Sequence, residues 1–114
     1  MECMKMMEAP LLVTPDTNKH YEFRKDITGI ALVCVVVDAP IPPYSHPPIE
    51  EFYYIRSGRG ILTIDGEEKE VEKDMVIFIP AGCTHGFKPI KSKEKLSYLY
   101  FAHQLEEPCR HISK

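Results

Sequence analysis

Apolar positions along the chain fall in short runs of strand period, and none sustains a helical period. Residues 30–37, IALVCVVV, form a continuous β-branched run, the pattern of a strand buried on both faces. An aromatic strand is predicted over 51–56. Two more, over 61–64 and 67–71, flank Asp65-Gly66, a type I′ hairpin signal because both central residues must take positive φ. Further strands are expected at 20–24, at 75–79 before Pro80-Ala81-Gly82, at 85–88, and at 96–103. Ser57-Gly58-Arg59-Gly60 reads as a turn and the lysine-rich KPIKSKEK as a solvated loop. The segment APIPPYSHPP holds five prolines, which cannot donate to a ladder, so it is barred from a central strand. Residues 1–19 read as a lead-in with room for one short strand, and 104–114 as a polar tail. Eight or so short strands without a helix give an all-β sandwich or barrel.

At 114 residues the chain is expected to form one domain, 1–114, with about two-thirds of its surface buried on folding. A composition 44% hydrophobic and 27% charged excludes general disorder. Fourteen basic residues against 17 acidic leave a net charge of −3 with no basic stripe, so nucleic acid is not an expected partner. The longest apolar run is eight residues, against the ~20 of a membrane helix. Charges interrupt the apolar opening segment, which excludes a signal peptide there. Cys3, Cys34, Cys83 and Cys109 match no disulfide framework, and they read as reduced thiols of a cytoplasmic protein.

Of the five histidines, His20, His46, His85, His103 and His111, two lie among other polar groups where a β-domain places a site. His46 is wedged between Ser45 and Pro47-Pro48, just before Glu51, and His85 follows the tight turn PAGCT. Alternation puts Glu51, Tyr53 and Ile55 on one face of their strand and Phe52 and Tyr54 on the other. One unbroken strand would set His46 and Glu51 on opposite faces, but the double proline between them breaks it and lets both face one interior. Cys83 with His85, and Cys109 with His111, form C-x-H pairs of no common zinc spacing. His103 is expected to pack or cap beside Leu99 and Phe101, and Tyr98 and Tyr100 to pack in a core or an interface. No G-x-S-x-G, phosphate loop or dinucleotide glycine motif is present.

Two stretches resemble the paired motifs of the cupin superfamily. PPYSHPPIEEFYYIRSG supplies His46, then four residues, Glu51, six residues and Gly58; DMVIFIPAGCTHGFKP supplies Pro80, Gly82 and His85 at the second motif's spacing. The resemblance spans residues 38–89, and it implies a jelly-roll barrel, a double-stranded β-helix. Asp38 and Asp74 stand where the motifs begin with glycine, Pro89 stands at the final asparagine, and Tyr44 at the first histidine. The resemblance therefore implies His46, Glu51 and His85 as ligands of one divalent transition metal. Two imidazoles and a carboxylate with open positions suit non-haem Fe(II), and Zn, Mn or Ni are compatible. Tyr44 would be a weak ligand, a hydrogen-bond donor or the nearest proton donor, and Tyr53 a pocket liner. The implied function is binding or conversion of a small molecule in the barrel mouth, as a metal-dependent oxygenase or isomerase. The alternative is a non-catalytic ligand-binding or sensor protein. The resemblance also implies a homodimer, for which the Phe52/Tyr54 face offers surface.

Overall fold

The computed structural model describes residues 1–25, 30–45 and 48–105. Ten strands follow a short 3-10 turn at Met6–Glu8: β1 (Leu11–Val13), β2 (Lys19–Lys25), β3 (Ile30–Val36), β4 (Ile41–Ser45), β5 (Ile49–Ser57), β6 (Arg59–Ile64), β7 (Glu67–Glu72), β8 (Val76–Ile79), β9 (Thr84–Ile90) and β10 (Ser97–Gln104). A six-stranded sheet in the order β1-β2-β3-β10-β5-β8 faces a four-stranded sheet in the order β4-β9-β6-β7, with every pairing antiparallel. This is the all-β sandwich or barrel that the pattern predicts, in the jelly-roll form that the resemblance implies.

The core lies between the sheets. Val33, Val35, Ile55, Leu62, Val71, Ile79 and Leu96 are at most 2% exposed and form its packed floor with Tyr53, Phe87 and Tyr98. Strand β3 is buried on its inner face and, at Cys34, on its outer face as well. The Asp65-Gly66 turn takes φ of 49° and 85°, as its hairpin type demands. Gly58 has φ 73°, and a Cβ there would stand 2.6 Å from the Leu96 backbone, so a side chain at this corner would split β5 from the β10 lead-in. Asp74, where the second motif begins with glycine, takes φ 74°, the left-handed region that glycine enters most easily.

The proline-rich segment is itself a strand, but an edge one. Among the described residues β4 pairs only with β9, and it slips register between Ile41 and Tyr44, where its prolines fall. Gly86 makes the approach possible, since a Cβ on it would lie 2.7 Å from both the Ile41 carbonyl and Pro43 N. With β4 and the lead-in strand β1, the total rises from eight to ten. His103 is neither packed nor a cap: it is exposed, with Nδ1 3.2 Å from Glu50 Oε2, because it sits on the outer face of β10. Cys3, Cys34 and Cys83 are free thiols, and no helix among the described residues is long and apolar enough to cross a membrane.

Candidate functional site

Strand alternation turns Glu51 of β5 into the space between the sheets, on the same face as Tyr53 and Ile55. From the opposing sheet β9 sends His85 to meet it. Their tips, His85 Nε2 and Glu51 Oε1, are 3.1 Å apart, and the residues are 3% and 4% exposed. The distance suits an ion pair when the ring is protonated. Among the described residues Glu51 Oε1 accepts no well-aligned hydrogen bond, so its 3.1 Å approach to the ring is chiefly a contact of charges.

Neighbouring elements fix the imidazole from behind. Asp65, in the hairpin turn, accepts the Thr84 N–H on Oδ1 at 2.9 Å and donates its own N–H to the Thr84 carbonyl at 2.7 Å. His85 Nδ1 lies 3.2 Å from the Cys83 carbonyl. A proton on Nδ1 directed there leaves Nε2 as the ring's lone-pair nitrogen toward Glu51. Burial, the largest influence, favours the neutral ring. The Glu51 carboxylate, the Cys83 carbonyl and Asp65 together outweigh it and hold the His85 pKa above the usual histidine value. The Cys83 thiol, pushed up first by burial and then by Asp65, contributes its backbone carbonyl and not its sulfur.

Four phenols surround the pair. Tyr44 is the cross-strand partner of His85, with ring centroids 4.7 Å apart, and is 38% exposed at the rim. Tyr53 stands edge-on to His85 at 6.3 Å and stacks on Tyr98 at 4.6 Å, and Tyr100 lies 6.1 Å from Tyr53. Burial and the Glu51 charge push Tyr44 up to about 12, and burial is also the leading cause that raises Tyr53, Tyr98 and Tyr100. All four are therefore neutral O–H groups at physiological pH.

Of the sequence-predicted site residues, Glu51, His85, Tyr44 and Tyr53 come together, and His46 lies outside the described residues, as do Cys109 and His111. Among the described residues no group of three His, Cys, Asp or Glu side chains is placed to hold a metal. The sequence reading left Tyr98 and Tyr100 as core or interface, and both face this interior. It missed Glu22, whose Oε2 is buried without a hydrogen bond, 3.7 Å from Lys25 Nζ, and whose charge acts on Tyr100. The available signal was register: Glu22 pairs with inward-facing Val33.

The Cupin domain family matches residues 31–101. Uncharacterized protein MJ1618 of Methanocaldococcus jannaschii is 43% identical over 62 residues, 54% of this chain and 50% of that protein. The dimethylsulfoniopropionate lyase DddW of Ruegeria pomeroyi is 36% identical over 58 residues, 51% of this chain and 36% of that protein. The chain thus spans half or less of the curated relatives it matches. Among solved structures, the cupin domain of Schizosaccharomyces pombe Cnp3 superposes with a TM-score of 0.76 at 20% identity, covering 88% of this chain and 72% of that one. With a family match over most of its length, on an antiparallel jelly roll whose paired motifs bring Glu51 and His85 into contact, the chain belongs to the cupin family.

Proposed function

We propose that this cupin binds one divalent transition metal through His46, Glu51 and His85 and takes a small molecule into the barrel mouth above it. The buried Glu51–His85 contact carries the reading. Donors about 2.1 Å from a common ion and at right angles to each other are about 3.0 Å apart, and the two tips stand 3.1 Å apart. The donor chemistry, two imidazoles and one carboxylate, would suit Fe(II), with Zn, Mn or Ni compatible. Among the described residues Glu51 Oε1 is buried and accepts no well-aligned hydrogen bond, which fits a ligand oxygen better than a structural carboxylate.

When bound, such an ion supplies Lewis-acid polarisation or activation of a coordinated small molecule. The chain's own residues do the rest. Tyr44, neutral at the rim, holds a proton on its Oη where an incoming ligand passes. Tyr53, Tyr98 and Phe87, stacked below, exclude water from the floor. An enzymatic role on a small molecule is supported by the relative DddW, a lyase. A second reading, a non-catalytic ligand-binding or sensor protein, is favoured by the phenols. With Tyr44 at about 12 and the others raised, none is poised near neutral pH for general base work.

Metal analysis of protein purified without chelator tests the proposal. About one transition metal per chain is expected, with a sharp drop in His85→Ala. A metal-free protein at pH 7.5 under metal-replete conditions would overturn it.

A further inference from the structure

Glu22 and Lys25 of β2 share the inner face of the six-stranded sheet with Glu51, and register sets the three in rows. Lys25 and Glu51 end the row at the mouth, with Ala31 of β3 and Ala102 of β10 between them. Glu22, Val33, Tyr100 and Tyr53 form the row below it. Glu22 therefore sits one row deeper than Glu51, with only Val33 between it and Tyr100. Tyr100 feels both carboxylates. Burial first, then Glu51, Tyr44 and Glu22, raise its pKa, so this phenol keeps its proton.

Glu22 Oε2 is buried although the side chain is 24% exposed, and among the described residues it accepts no hydrogen bond. Lys25 Nζ, 3.7 Å away, balances the charge but stands too far off to donate. A buried acceptor left empty is costly, so this oxygen calls for a donor from outside the chain. We propose that Glu22 selects the small molecule that the barrel accepts, by receiving a hydroxyl group of a short carboxylate whose charged end sits at the Glu51–His85 centre. The inference rests on the metal-binding reading above and names its ligand class. Two features decide that class. The ion and the half-exposed Lys25 both place positive charge at the mouth, which suits a carboxylate there. Lower down, Lys25 already supplies the counter-charge of Glu22, so the oxygen lacks a hydrogen bond and not a cation. A hydroxyl fills that need, whereas an ammonium would crowd a second positive charge against Lys25. Rows two residues apart along a strand are separated by about 6.7 Å, roughly the span of a four-carbon hydroxy acid. A site built to bond a hydroxyl rejects the analogue that lacks it, because its buried acceptor then stays empty.

Calorimetric titration of the zinc-loaded chain with 4-hydroxybutyrate, butyrate and 4-aminobutyrate tests the assignment. The hydroxy acid is expected to bind at least tenfold tighter than butyrate, and the amino acid no tighter than butyrate. Glu22→Met, close in shape but without the acceptor, is expected to remove the preference while butyrate affinity and zinc content stay unchanged. Without ligand, the same variant is expected to unfold at an equal or higher denaturant concentration than the wild type, since it loses an unfilled buried acceptor. Equal binding of hydroxy acid and butyrate by zinc-loaded protein overturns the proposal and leaves the metal centre standing. A preference for the amino acid, or a hydroxyl preference that survives Glu22→Met, overturns it as well. So does a Glu22→Met chain that is less stable or does not fold, which would make the carboxylate a requirement of the fold. A chain that takes up no zinc sinks the metal reading, and this proposal with it.

Discussion

Strand β5 buries a glutamate and leaves a phenylalanine in solvent. Glu51, Tyr53 and Ile55 turn inward at 4%, 3% and 0% exposure, while Phe52 and Tyr54 turn outward at 50% and 40%. A one-sided antiparallel strand ordinarily does the reverse with its charged and apolar residues. Each inversion is costly alone: an unpaired buried carboxylate is strongly destabilising, and a bare aromatic raft invites association. The two faces offset these costs by different means. Inside, the carboxylate meets His85 at 3.1 Å, beside an aromatic wall. Outside, the Phe52 ring lies 5.0 Å from that of Phe78, and the Tyr54 hydroxyl donates to Asp74 Oδ1 at 2.6 Å. A single strand thus presents two unlike faces because period-two alternation keeps them on opposite sides of one backbone.

Substitutions on the two faces should separate accordingly. The largest effect belongs to the inner floor: Ile55→Ala, at a fully buried position, is expected to cost about 2–5 kcal/mol in denaturant unfolding. Phe52→Ala, three residues away but outward, should stay within about 0.5 kcal/mol when measured too dilute to associate. Equal costs would erase the distinction between the faces. Next comes the pair itself. Glu51→Gln keeps the shape but removes the charge, and chelator competition should show metal affinity falling roughly 100-fold. Affinity that survives would place the ion elsewhere.

The pH response should follow from His85. Its folded pKa lies above the unfolded value near 6.5, so in metal-free protein the protonated ring contributes stability below 6.5 that is lost as pH rises through the folded value. Metal binding needs that proton displaced, so affinity should fall with acidification at a higher pH than an ordinary histidine would give. Unfolding at pH 6 and pH 8, with and without metal, should show opposite slopes; parallel slopes would detach His85 from the ion. The smallest effect belongs to Tyr44. Tyr44→His, opposite His85 on the neighbouring strand, should raise affinity up to tenfold by adding an imidazole at the rim. No change would show that position 44 turns away from the ion.

Much of the fold was legible because it is local. The Asp65-Gly66 turn, the β-branched run of β3 and the alternation of β5 each state their conformation within a few residues. The β4 strand was not, because its prolines argue against pairing and only the clearance at Gly86 on another strand admits it. Alternation placed Glu51 inward but could not bring it to His85, 34 positions away in the opposite sheet; motif resemblance supplied that. Glu22 was missed because its inward direction depends on pairing with Val33 across β3, ahead of a register shift in β2. Alternation set Phe52 and Tyr54 on the outer face, but the exposure of Phe78 beside them was hidden, since nothing local says that the strands flanking it leave that face uncovered.

The convergence of the ligands on one ion is tested most directly by anomalous diffraction from crystals of the chain loaded with iron or zinc. A single peak about 2.0–2.2 Å from both Glu51 Oε1 and His85 Nε2 is the expected result. A peak bound elsewhere, or none at full metal loading, would contradict the account.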